Sequence, residues 1–414
     1  MSDGSATDDR PSRPFSRRAL FSTGGLVAAS LGATGVAVAR RGDSPATTIA
    51  TESVSRGLES VAFHGVHQAG IDTHPVPAHA RFLALDLRPG ADRVAVRRLM
   101  RLLSDDAARM TAGRPPLAAE DPQLPRLPSR LTVTFGFGPG VFDAIGRPDD
   151  CPDVIRNLPA FSTDKLQPQW CGGDLLVQVC SDDVVPLSYA VRRLVRDARD
   201  LATVRWTQAG FNPARGSEPA DTTPRNLFGQ RDGTANPAAG SAELAQAVWS
   251  QQGPEWARGG SHLVVRRIRM DLDTWDDLGR FAKETATARR MEDGAPVTGG
   301  REHDKPDAAA IDNTGFPIVA AEAHVVRATA RTPSERLLRR GFSFDDGPDA
   351  DGRPQAGLLF AAYQADAATA FVPVQRRLAE LDAMNLWITH VGSAAFVVPP
   401  GCAEGEYIGH QLIG

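Results

Sequence analysis

The chain has 414 residues, 42% of them hydrophobic and 23% charged, with a formal net charge of −4. That length exceeds one ordinary core and predicts two domains. The composition is that of a soluble globular protein, and the mild negative charge argues against a general affinity for nucleic acid.

In chain order, the first feature is SRRALF at 16–21, followed by the weakly apolar run LFSTGGLVAASLGATGVAVA. A twin arginine before a moderately apolar stretch that ends in AVA at 37–39 reads as a Tat-type export signal (residues 1–39) rather than a spanning anchor. It predicts a periplasmic, cell-envelope or extracellular protein. Tat systems carry folded proteins, so the signal also predicts a cofactor inserted before export. Residues 40–56 are polar and read as a linker.

Residues 80–87 read as a strand, and 92–110 carry apolar residues at helical spacing up to Gly113. Residues 131–137 and 173–180 are strands, 184–202 a helix and 203–208 a strand. The second half repeats the theme: strand 262–270, helix 271–286, strand 357–363, helix 371–385, strand 393–400. The pattern predicts an α+β protein of two ferredoxin-like domains, 57–225 and 226–414. Between 287 and 356 the pattern is long and irregular, as functional or disordered segments often are.

Some motifs fail on inspection. GFGPG at 136–140 follows a strand, but Val141 stands where a dinucleotide fingerprint needs a small residue. DDGPDADG at 345–352 resembles a calcium loop, but a leucine stands at its twelfth position. Four cysteines occur without CxxC or CxxCH, which argues against a zinc ribbon, a thioredoxin-like site and c-type haem attachment. Their spacing leaves disulfide pairing open.

Four histidines fall within 64–79 (His64, His67, His74, His79). They read either as a metal cluster or, more simply, as turn and surface residues. His324 lies alone in the apolar stretch AAEAHVVRATA. GQRDGTANP at 229–237 places Asp232 in a glycine-rich turn, and Asp-Gly is a common turn dipeptide. Arg339 and Arg340 follow His324 by fifteen and sixteen residues and read locally as a solvated helix end. Composition and spacing do not assemble these residues into one site.

A resemblance does. GQRDGTANP, with TPRNLFG before it, resembles the GxxDG signature of dye-decolourising (DyP-type) haem peroxidases. FHGVHQAGI, LTVTFGFGPGVFD, GGDLLVQVCSDD, VRWTQAGF, AEAHVVRAT, RLLRRGFSFDDG and GLLFAAYQ resemble family segments in the family's order, over nearly the whole chain after the signal. The resemblance implies two ferredoxin-like domains around one non-covalent haem b. It implies hydrogen peroxide and small aromatic reductants, such as dyes or phenols, as substrates. It admits a homo-oligomer, and it includes an exported subgroup with the deferrochelatases. A haem-handling protein that releases iron is therefore the alternative reading.

By position, the resemblance makes His324 the iron ligand, Asp232 the distal acid/base and Arg339, the first arginine of LRRG, the distal arginine. Gly229 and Gly233 would let the backbone approach the porphyrin, and Leu358 and Phe360 would line the distal side or simply be core. Asp382 would bond the second nitrogen of His324, or be a helix-surface acid. Two departures stand out. Gln230 occupies a place that is often aromatic, and Val326 one that is often arginine, which leaves Arg327 as the doubtful propionate contact. Trp387 and Tyr363 are candidates for passing electrons to the surface, with a structural role the simpler reading of each. A carboxylate of ordinary pKa, about 3.9, is a competent base in mild acid. Dye oxidation is therefore expected to peak below neutral pH.

Overall fold

The computed structural model describes residues 56–119, 123–219 and 222–414. The export segment and nearly all of the linker lie outside the described residues. Among those residues, no helix is long and apolar enough to cross a membrane.

In the first half, β1 (His79–Leu87), β2 (Thr132–Phe137), β3 (Leu175–Ser181) and β4 (Ala202–Phe211) pair antiparallel in the order β2-β3-β1-β4. Helix α1 (Arg93–Thr111) follows β1, and α2 (Val184–Ala198) follows β3. Each helix starts at an aspartate whose side chain accepts from the first turn, Asp92 from Ala95 N and Asp183 from Val185 N. The stripe Val96, Leu99, Met100, Leu103, Ala107 and Met110 then buries α1 against the sheet.

The second half uses β5 (Ser261–Met270), the two-residue β6 (Leu338–Arg339), β7 (Phe342–Pro348), β8 (Pro354–Gln364) and β9 (Ile388–Val398). Their order is β9-β5-β8-β7, with β6 on β8 just ahead of β7. Counted within each half, both sheets run 4-1-3-2, the ferredoxin-like order that the sequence pattern predicted. The halves join through Phe137↔Val397 and Phe211↔Ser343. The sheet thereby closes on itself, which removes the exposed edges. Phe82, Phe342, Phe396 and Tyr363 are fully buried in one cluster with Ile71 and Leu263, and a second cluster lies under the helices.

Several expected bounds shift for local reasons. The helix expected at 271–286 is two, α3 (Leu272–Asp276) and α4 (Arg280–Thr287), separated at Gly279. The helix expected at 371–385 ends four residues early as α6 (Phe371–Leu381), after the short α5 (His324–Ala328). Its next residue, Asp382, instead caps a 3₁₀ turn by accepting from Met384 N at 3.0 Å. The segment that read as irregular supplies α5, β6 and β7. DDGPDADG forms the β7–β8 turn region. All four cysteines are unpaired.

One buried carboxyl predicts a pH effect. Asp106 on α1 is 2% exposed. Burial first, then the hydrogen bond and charge of Asp197 on α2, push it up from 3.8 to about 7. The folded protein therefore holds a proton here that the unfolded chain releases near pH 4. Stability should fall as pH rises from about 4 to 7, by up to a few kcal/mol. Asp106→Asn needs no such proton. Its Tm should be flatter over this range and exceed that of the wild type above pH 7. Parallel pH profiles of Tm would count against the shared proton.

Candidate active site

Asp232 is placed by its own loop. Asn226 N donates to Gln230 O at 3.0 Å, Arg225 bridges to Arg231, and Asp232 N donates to Pro224 O at 2.9 Å. The turn needs φ of +75° at Gly229 and +127° at Gly233, conformations that side chains with a Cβ rarely adopt. Arg225 ties the loop down by donating to Gly229 O and Met291 O through Nη1 and to Glu292 O through Nη2.

Asn226 orients the carboxylate. Its Oδ1 accepts from Phe228 N at 3.0 Å and Gln230 N at 3.3 Å. That fixes the amide, so Nδ2 is the group that points at Asp232 Oδ2, at 3.3 Å. Across the cleft, Arg339 Nη1 donates to Asp232 Oδ1 at 3.1 Å. Both side chains are about a quarter open, so the pair is neither sealed nor fully screened.

Arg339 is held by its backbone. Asn236 Nδ2 donates to Arg339 O at 2.7 Å, and Arg339 N donates to Asn236 Oδ1 at 3.0 Å. One side chain thus replaces a strand neighbour for the short β6. On the haem expectation, replacing Asn236 with Ala should leave haem content intact and slow the reaction with peroxide about 10-fold, through misplacement of the guanidinium. An unchanged rate in stopped flow would reject this positioning role.

His324 opens α5. Its Nδ1 lies 2.7 Å from Asp382 Oδ2, and the Asp382 side chain is 1% exposed. The other Asp382 oxygen is spent on the Met384 cap. The carboxylate therefore accepts from Nδ1–H and leaves Nε2 without a partner among the described residues. Burial pushes the imidazole down, but the charge and hydrogen bond of Asp382 outweigh it and raise it overall. Arg339 and Asp232 also act on the charge of this ring, in opposite directions. The four groups therefore share one neighbourhood. Although His324 lies deep among protein atoms, its side chain is 32% open, so it faces a cleft.

Helix α5 is stapled to α6. Arg377 donates to Arg327 O and Thr329 O and pairs with Glu335 at 2.8 Å. These contacts satisfy carbonyls at the α5 C-terminus. Arg327 answers by donating to Arg377 O and Glu380. Its guanidinium braces α6 through Nε and Nη2. Asp382, too, is a buried residue and not a helix-surface acid.

The cleft beside Asp232 is lined by Asn226, Asp232, Arg339, Ser343 and Leu358, among others. Leu358 and Phe360 sit on the half-buried face of β8, and Phe360 also packs on Phe371. This donor set fits a haem: a partner-free imidazole nitrogen backed by a buried carboxylate, an apolar strand face, and an acid–guanidinium pair. Other expectations separate from the site. Tyr363 is fully buried with its hydroxyl on Gln178, so it is no surface residue. Trp387 is half-buried, edge-on to Trp275 at 5.2 Å. His67 stacks on Trp249, and His64 lies against Cys402. No metal-binding cluster of His, Cys, Asp or Glu occurs among the described residues.

Sequence reasoning missed Asn226, Asn236 and Arg377. The two asparagines lay inside the quoted TPRNLFGQRDGTANP stretch, beside the Asp232-Gly turn that was singled out. Arg377 carried no sequence signal.

Comparison with known proteins gives matches over most of the chain. Residues 68–212 match the family model "Dyp-type peroxidase, N-terminal", and residues 223–403 match "Dyp-type peroxidase, C-terminal". The chain is 42% identical over 360 residues to a dye-decolorizing peroxidase of Thermobifida fusca, covering 84% of this chain and 83% of that one. It is 34% identical over 422 residues to a deferrochelatase of Escherichia coli, covering 97% of each. Ferric DtpA from Streptomyces lividans superposes with a TM-score of 0.83 at 43% identity, covering 87% of this chain and 98% of that one.

Proposed function

This chain belongs to the Dyp-type peroxidase family, and on that premise we propose that Asp232, Arg339, His324 and Asp382 form its peroxide-reducing haem centre. It is a peroxidase, an oxidoreductase with haem as its cofactor. The observation that supports the residue roles is the pairing of two dyads, Asp232–Arg339 at 3.1 Å and His324–Asp382 at 2.7 Å, whose charges act on the same imidazole.

Bound through His324 Nε2, haem would supply an iron able to hold peroxide, give up two electrons to it and regain them from the reductant. Asp232 takes the proton from the peroxide oxygen nearer the iron and gives it to the outer oxygen, which leaves as water. Asn226 keeps the carboxylate an acceptor during this transfer. Arg339 stabilises the negative charge that grows on the leaving oxygen. Asp382 holds the Nδ1 proton and so keeps Nε2 the ligating atom. Two electrons from aromatic donors and two protons complete the conversion of one hydrogen peroxide to two waters.

The alternative reading, a deferrochelatase that frees iron from haem, is favoured by the near-complete coverage of the Escherichia coli relative. Steady-state dye oxidation with peroxide supports the peroxidase reading. Iron release that leaves intact porphyrin, without dye turnover, would overturn it. Export by the Tat route belongs to the same proposal and rests on the sequence at 16–39. Replacing Arg17 and Arg18 with lysine should leave the protein in the cytoplasm on fractionation.

A further inference from the structure

Arg340 follows Arg339 in the chain but points the other way. Leu338 lies opposite Tyr363, Arg339 opposite Ala362, and Arg340 N donates to Ala361 O. Alternation therefore sends Arg340 to the face of β8 that carries Ala361 and Tyr363, inside the closed sheet. The residue is 4% exposed. Its Nε and Nη2 are buried and have no hydrogen-bond partner among the described residues. A guanidinium buried in this way costs several kcal/mol unless something accepts from it.

Nε and Nη2 form one edge of the guanidinium. In three other arginines of this protein that same edge grips a single oxygen. Arg88 holds Arg199 O at 3.0 and 2.8 Å, Arg93 holds Ile145 O at 3.0 and 2.7 Å, and Arg327 holds Arg377 O at 3.2 and 3.1 Å. The edge of Arg340 can close on one acceptor atom in the same way. Thr132 is fully buried and stands opposite Cys180 on β3. Cys180 in turn lies within electrostatic reach of Arg340.

None of the surrounding acceptors is hydrogen-bonded to these two donors. Tyr363 Oη donates to Gln178 Oε1 at 2.7 Å, and Gln178 Nε2 donates to Gly70 O at 3.0 Å. Burial holds the Cys180 thiol neutral, pushed up to about 11. The carboxylate acting on Arg340 is that of half-buried Asp72, and no hydrogen bond joins them.

We propose that Arg340 Nε and Nη2 bind a small inorganic anion of the halide class inside the closed sheet, on the opposite side of β6 from the haem cleft. The anion gives the buried guanidinium a counter-charge. The site rests on no catalytic role, so its failure leaves the peroxidase reading untouched.

The test uses crystals of the holoprotein equilibrated with sodium bromide and measured at the bromine absorption edge. An anomalous peak within hydrogen-bond reach of both Nε and Nη2 is expected. Water alone on those donors, or the Asp72 carboxylate swung onto them, would overturn the proposal. In solution, raising chloride to tenfold above its Kd at constant ionic strength should raise Tm by about 2 °C. Arg340→Met should abolish that shift. Should that variant not fold, the bromide measurement on the wild type decides alone.

Discussion

Replacing Asp232 with asparagine should lower the rate constant for reaction with hydrogen peroxide by about 10²–10⁴-fold, the usual contribution of a positioned general acid–base. The readout is the haem absorption change after peroxide mixing in stopped flow, with haem content measured in parallel. The geometry makes the substitution more than a loss of charge. Asn226 Nδ2 points at Asp232 Oδ2 because its own Oδ1 is fixed by two backbone N–H groups. An amide at 232 can accept from Asn226 and Arg339 through one oxygen only, and turns an N–H toward a donor. Asp232→Ala should therefore be no slower than Asp232→Asn, since neither can shuttle a proton. A rate within threefold of the wild type in both variants, with haem fully loaded, would falsify the proton-transfer role.

Replacing His324 with alanine should remove the iron ligand and with it most of the bound haem or its native ligation. The purified variant should carry less haem per chain, and its absorption and paramagnetic resonance spectra should lose the signature of nitrogen ligation. Added imidazole should restore part of that signature, because Asp382 stays in place to accept from its N–H. Asp382→Asn should act more mildly: haem stays bound, and the reduction potential of the iron rises as the ligand becomes less basic. Full haem loading with unchanged spectra in His324→Ala would remove His324 as the ligand and, with it, the reason for placing Asp382 behind it.

The elements were largely legible because they rest on local physics. Alternating apolar residues and apolar residues at helical spacing marked the strands and helices of the first half closely. The misreadings also have local causes. The apolar spacing through LAELDAMN continues past Leu381, so periodicity ran the helix on to 385. Asp382 leaves the helix because its two oxygens serve His324 and the cap at Met384. Arg327 braces α6 through the backbone of Arg377 and through Glu380, a contact that no local spacing announces. Arg339 was read locally as a helix end. It is a strand residue because β8 lies beside it.

By itself, the sequence determined the glycine-rich turn around Asp232, the repeated strand–helix–strand order and the family signature, since each is written in residues a few positions apart. Only the tertiary structure decided which side chains meet. Asp232 and Arg339 are separated by 107 residues, and His324 and Asp382 by 58. No periodicity reaches that far. The partners are chosen by strand pairing and by a closed sheet that sends Arg339 into the cleft and Arg340 into the interior. A hydrogen bond reads distance in space, and chain folding alone converts sequence separation into that distance.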